Sequence, residues 1–116
     1  MGLYNRLAVY RKCPNCSHIF EDQIQYKYGF TRQLEYKLED RISWSGTSND
    51  EGDPKIQTVK VLGIFEEEHC PSCRIRLDED IQIIIHKDIL KSCIELSTDD
   101  WVHYFKHNET YIEFDL

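Results

Sequence analysis

Four of the five cysteines stand in two like frames, Cys13-Pro14-Asn15-Cys16 and Cys70-Pro71-Ser72-Cys73, with fifty-three residues between Cys16 and Cys70. Two residues between cysteines let both thiolates of a tight turn face one ion, and two such turns complete a tetrahedral four-cysteine site. Any fold open to this chain must therefore bring residues 13–16 and 70–73 together. Proline after the first cysteine stiffens each turn by fixing φ. The frames echo one another further on, where an apolar residue followed by two acids comes four places beyond each second cysteine: Phe20-Glu21-Asp22 and Leu77-Asp78-Glu79. Cys13, Cys16, Cys70 and Cys73 are the candidate ligands of one metal ion per chain. Zinc is the default, and iron on four thiolates has the same sequence pattern.

Other uses of the cysteines fit less well. A redox Cys-x-x-Cys usually sits where a strand opens into a helix, and neither pair precedes a helical pattern. Structural disulfides belong to secreted chains. The N-terminal Met1-Gly2-Leu3-Tyr4-Asn5-Arg6 has no apolar block of the secretory kind, so an intracellular, cytoplasmic protein is expected. The longest uncharged apolar run, Val61-Leu62-Gly63-Ile64-Phe65, has five residues. A membrane-spanning helix needs about 20, so no membrane partner is expected.

The rest of the chain reads as strands. Thirteen isoleucines and seven tyrosines stand against a single alanine, Ala8, a balance that favours pleated strands over helices. The expectation is a mainly β fold, a single antiparallel β domain over residues 1–116 with one short C-terminal helix. Leu3 to Lys12 is a first strand. Phe20, Asp22, Ile24, Tyr26 and Tyr28 then share one face, with Asp22 its only polar member, and Gly29 ends the run. Leu34, Tyr36 and Leu38 alternate in a second run, joined to the first as a hairpin through Gly29-Phe30-Thr31-Arg32. Ser43 to Pro54 is loop chemistry throughout, expected to be mobile. Strands follow over Ile56–Glu67, with Gly63 a point of bulge or close approach, over Ile81–His86, and over Ile89–Leu96 after a Lys87-Asp88 turn. Ser97-Thr98-Asp99-Asp100 is an N-cap signal for a helix to about His107, ended by Asn108. Tyr111 to Phe114 closes the chain as a last strand.

The paired Cys-Pro-x-Cys turns resemble the zinc knuckles of zinc-ribbon and rubredoxin-like domains over 12–22 and 69–79, about a fifth of the chain. That resemblance implies that Cys13, Cys16, Cys70 and Cys73 are the ligands and that a β-strand follows each knuckle. Two departures stand out. Such knuckles commonly carry glycine after the second cysteine, where φ is positive, and here Ser17 and Arg74 hold those places. The insert between knuckles is also far longer than in a minimal ribbon and must hold strands of its own.

The remaining chemistry-bearing residues have plainer readings. Cys93 is expected on the strand face of Lys91 and Glu95, opposite Leu90, Ile94 and Leu96, as a partly covered thiol. His18 and His69 flank the knuckles and suit roles beside the thiolates or in solvent. His103 and His107 stand four apart on the helix, without the glutamate of a metalloprotease motif between them, and read as helix-surface residues. Nothing resembles a phosphate loop, a nucleophile elbow or a deaminase motif. A site closed by four thiolates keeps no position open for water, so no enzyme is expected.

Charge narrows the partners. Residues 1–50 carry seven Lys/Arg and six Asp/Glu, residues 51–116 seven and fifteen, for a net charge of −7. Such a chain lacks the basic excess of a duplex binder and suits a basic protein surface. The expected function is a small metal-stabilised interaction protein with a protein partner, inhibitor- or immunity-like in masking a basic target, with Trp44 as a candidate interface anchor. The alternative for Trp44 is that it covers the sheet edge. The alternative function is nucleic-acid binding, in which Tyr26, Tyr28, Tyr36 and Trp44 stack on bases beside Lys27, Arg32, Lys37 and Arg41.

Overall fold

Period-two alternation does position the core. In a computed structural model, which describes residues 4–48, 50–77, 80–107 and 110–113, the side chains of Phe20, Asp22, Ile24, Tyr26 and Tyr28 are all buried. Strand β1 (Asn5–Lys12) pairs with β2 (Ile19–Tyr26) as an antiparallel hairpin, in register from Asn5↔Tyr26 to Lys12↔Ile19. The later elements are β3 (Gly29–Phe30), β4 (Glu35–Lys37), β5 (Asp50–Glu51), β6 (Thr58–Phe65), β7 (Ile81–His86), β8 (Ile89–Glu95), α1 (Thr98–His107) and β9 (Tyr111–Glu113). The fold is mainly β with one short helix, as expected. Leu3, Asn108 and Phe114, named above as element ends, lie outside the described residues. Among the described residues no helix is long and apolar enough to cross a membrane.

The main sheet runs β4-β1-β2-β6-β7-β8, and β9 shares with β2 one edge of β6. It is antiparallel except between β1 and β4. It also curls. Beyond β4 the Glu39 N–H donates to Leu90 O at 2.7 Å, Leu90 N–H donates to Asp40 O at 3.0 Å, and Ile42 N–H donates to Asp88 O at 2.8 Å. One end of the sheet is thereby tied to the other around a core of Leu7, Ile24, Tyr26, Val59, Val61, Ile83, Ile85 and Leu90.

The expected hairpin through Gly29–Arg32 does not form. The edges of β2 are already taken by β1 and β6, so the chain peels away. Its Gly29-Phe30 segment pairs with β5, and β4 lies parallel to β1. The fully buried Asn5 side chain holds this crossover, its Nδ2 donating to Phe30 O at 3.0 Å and its Oδ1 accepting from the N–H groups of Arg32 and Leu34 at 3.2 and 3.1 Å. Such bonds satisfy main-chain groups that a buried crossover would otherwise leave unpaired.

Gly63 is a point of close approach. A Cβ there would lie 2.4 Å from Ile24 Cγ2, so β6 crosses β2 at a distance only glycine permits. Lys87 and Asp88 both take positive φ, 49° and 67°, the two-residue turn whose twist matches the strands it joins. A register shift opposite Ile84/Ile85 makes Lys91 an extra residue in β8. The strand-face expectation fails here: Leu90 and Cys93 both pack on the core, and Ile94 turns outward. A bulge reverses the alternation beyond it.

Helix α1 starts as its cap signal implies, with Asp100 N–H donating to Ser97 Oγ at 3.1 Å. Polar groups fasten it across β6 and β7. Gln82 Nε2 donates to Asp100 Oδ2 at 2.8 Å, and Tyr104 Oη lies 3.0 Å from Lys60 O and 3.1 Å from Gln82 Oε1.

Candidate metal centre

The first knuckle is the continuation of the β1–β2 hairpin, and the second follows β6. Both use the same backbone pattern. Cys13 N–H donates to His18 O at 2.9 Å and Ser17 N–H to Cys13 O at 3.0 Å; Cys70 N–H donates to Ile75 O at 2.9 Å and Arg74 N–H to Cys70 O at 3.0 Å. Ser17 and Arg74 adopt φ of 63° and 66°. The two turns therefore take the left-handed conformation at the positions where glycine is missing, at a cost of about 1 kcal/mol each.

The four sulfurs converge. Cys13 Sγ lies 3.6 Å from Cys73 Sγ and Cys16 Sγ 3.6 Å from Cys70 Sγ, and all four fall within 4.8 Å of one another. A tetrahedral zinc with bonds of about 2.3 Å sets sulfurs roughly 3.8 Å apart, so the donor set fits such an ion. The separations are far beyond an S–S bond of about 2.05 Å. Cys13 and Cys70 are buried, Cys73 is half-buried and Cys16 faces solvent. Among the described residues these four cysteines form the one cluster able to hold a metal ion.

N–H groups point at the sulfurs of Cys13, Cys70 and Cys73. Asn15 N–H donates to Cys13 Sγ at 3.4 Å, and Ser72 N–H to Cys70 Sγ at 3.4 Å. Asn15 Nδ2 crosses between knuckles to Cys73 Sγ at 3.5 Å. That amide, joined by the Ile75 N–H, brings the Cys73 thiol down to about 6. Burial pushes Cys70 up, but the N–H groups of Cys73 and Ser72 outweigh it and hold its thiol below the ordinary value. Residues 12–20 and 69–77 contain Lys12, Arg74 and Arg76 and no Asp or Glu, which would offset the net negative charge of four thiolates on a bound divalent ion.

The other singled-out residues sit elsewhere. His18 stacks on Phe20, ring centroids 6.1 Å apart, and both His18 and His69 are exposed. The His107 side chain lies outside the described ones. Cys93 packs against the core, and burial pushes its thiol up to about 11. Trp44 is half-buried at the closed end of the sheet, edge-on to Tyr28 with centroids 5.3 Å apart, and its Nε1–H donates to Asp88 Oδ1 at 3.1 Å. That placement matches the sheet-covering alternative. The described residues of the 43–54 segment make bonds of their own. Tyr28 Oη donates to Asp53 O at 2.9 Å, and Asp50 accepts from the Ser45 and Gly46 N–H groups at 3.0 and 2.7 Å. Tyr26 and Tyr28 are core residues rather than surface platforms.

A strand follows the first knuckle immediately, as β2. After the second the expected strand is reduced to a single bridge, His69↔Arg76, and Asp78 and Glu79 lie outside the described residues.

One feature escaped the sequence reading. Asp22, the lone polar residue on the apolar face, is met by Arg11, whose Nη1 lies 2.8 Å from Asp22 Oδ2. The Arg11 guanidinium is stacked 3.7 Å above the Phe65 ring, and Asp22 Oδ1 accepts from the N–H groups of Gln23 and Glu67 at 2.7 and 3.3 Å. The pair thus joins β1, β2 and the segment leading to the second knuckle. Asp22 itself was the signal, because a carboxylate on a buried strand face requires a partner.

Comparison of this chain with protein-family models, with curated proteins and with solved structures finds no match.

Proposed function

We propose that this chain is a zinc-clasped, non-enzymatic interaction protein whose task is to bind a protein partner. The observation that carries the reading is the closure of four sulfurs around one point, with like turns on both sides. Four thiolates fill a tetrahedral ion, so the metal acts as a clasp between distant chain segments and leaves no position for substrate or water. Four thiols held for a metal suit a reducing compartment such as the cytoplasm. The net charge of −7 suits a basic target, raising the association rate while anchor burial supplies affinity. The burial of Tyr26 and Tyr28 weakens the base-stacking alternative, since a stacking platform must be open to solvent.

Two measurements test the reading. Elemental analysis of freshly prepared, reduced protein should find one zinc per chain. A gel-shift titration of single-stranded DNA and RNA across a salt series should show no submicromolar complex. Salt-sensitive submicromolar binding would replace the protein-partner reading with the nucleic-acid one.

A further inference from the structure

The curled sheet is tied shut at one end and open at the end that carries the knuckles. β4 covers the outer edge of β1 only over Arg6–Ala8, and residues 39–42 cover β8 only near Ile89 and Leu90. Beyond these contacts no strand pairs with either edge among the described residues. Main-chain direction follows from two bonds. Arg6 N–H donates toward the β4 side, to Leu34 O, so along the regular β1 register Tyr10 and Lys12 present their N–H and C=O the same way. Leu96 N–H turns back toward β7, to Asp80 O, so Cys93 and Glu95 present theirs away from β7, into the gap. Two unpaired edges thus face one opening, the usual template for an added strand.

Behind the edges lies a cleft of about 550 Å³, lined on its apolar side by Val9, Ile24, Leu38, Phe65 and Ile81. The charged residues of its lining are Arg11 and Lys12, with no Asp or Glu among the described lining residues, in a chain of net charge −7. Arg11 is matched by Asp22, so Lys12 is the charge an occupant meets on the β1 edge, with Glu95 on the β8 edge outside the cleft lining.

We infer that this seam accepts an extended segment of a partner protein as an added β-strand. The segment is apolar at alternate positions, where its side chains enter the cleft, and carries a carboxylate near Lys12. Main-chain bonds to Tyr10, Lys12, Cys93 and Glu95 supply affinity, and the cleft supplies selection. The inference rests on the protein-partner reading and gives it a place and a ligand chemistry. The carboxylate belongs either to an acidic side chain or to a chain terminus, and the test separates the two.

The zinc-loaded full chain is panned against displayed random octapeptides in two formats, one with a free terminal carboxylate and one with the terminus blocked. Enriched sequences should alternate apolar residues and keep a carboxylate. Enrichment in the free format alone identifies a chain terminus, and in both formats an acidic side chain. A synthetic enriched peptide should slow hydrogen exchange at the amides of Tyr10, Lys12, Cys93 and Glu95. Lys12→Gln, with zinc content and melting checked to match the parent, should weaken that peptide about ten-fold, and Lys27→Gln should not. Enriched peptides that protect another surface would overturn the seam while leaving the partner reading standing. Failure to enrich any peptide in either format would also overturn it, as would protection of the same amides by self-association alone. Failure of the partner reading shows separately, as salt-sensitive nucleic-acid binding.

Discussion

Arg11 and Asp22 form an ion pair that water barely reaches, with side-chain exposures of 5% and 1%. Asp22 also accepts the Glu67 N–H, so one carboxylate braces the hairpin behind the first knuckle and the chain entering the second. Removing one member strands the other charge in the core. Asp22→Asn and Arg11→Met should each cost about 3–5 kcal/mol in urea unfolding, while the double change Arg11→Met with Asp22→Asn, which removes both charges and keeps an acceptor for the Gln23 and Glu67 N–H groups, should cost less than the sum of the two. A double loss equal to the sum of the single losses would show that the two charges are not coupled.

Metal binding and folding should be coupled. Cys70→Ser removes a buried thiol from a four-cysteine cluster that joins segments more than fifty residues apart. The variant should bind no metal and melt far below the parent, or fail to stay soluble. A variant with unchanged melting would exclude a clasp.

Thiol reactivity should be ordered by environment. In protein stripped of metal at pH 7 and kept cold enough that circular dichroism shows it still folded, iodoacetamide should modify Cys73 early, because a thiol near 6 is mostly thiolate there. Cys93, near 11 and half-buried, stays protonated and should react last. The sign follows from the shifts: lowering the pH toward 6 slows Cys73, and raising it toward 11 brings Cys93 in. Peptide mapping by mass spectrometry reads both.

The left-handed knuckle positions can be relieved. Ser17→Gly should stabilise the metal-loaded protein by up to about 1 kcal/mol, because glycine takes positive φ without a Cβ clash. Such a gain raises the melting temperature by roughly 4 °C or more in a domain near this size. A fall in melting temperature would mean that the Ser17 side chain has a stabilising role larger than the backbone cost.

Trp44→Ala should cost about 2 kcal/mol, since it removes an aromatic edge contact to Tyr28 and the hydrogen bond to Asp88. In a Trp101→Phe background the Trp44 emission should be blue-shifted and resist quenching. A red-shifted, freely quenched signal would place the ring in solvent.

The features legible in the sequence are those that depend on neighbours a few residues away. The Cys-Pro-x-Cys turns, the alternation from Phe20 to Tyr28, the Lys87-Asp88 turn and the Ser97 cap each rest on local φ, on period-two burial or on a short hydrogen bond, and each is present in the structure. Gly63 was legible as a close approach for a similar reason, because an isolated glycine in a strand marks missing side-chain volume.

What tertiary structure alone decided is which edges and faces were still free. The 29–38 segment lost its place beside β2 because β1 and β6 already held that strand, so β4 turned parallel to β1 under the clip of Asn5. One extra residue at Lys91 moved Cys93 inward and Ile94 outward, a shift that no alternation of residue types announces. Asp22 declared a need for a partner, but Arg11 became that partner only through the β1–β2 register, and the Glu67 N–H only through the return of β6. Local turns follow from the residues that make them. Pairing between distant segments follows from competition for a limited set of edges, which is settled only when the whole sheet is assembled.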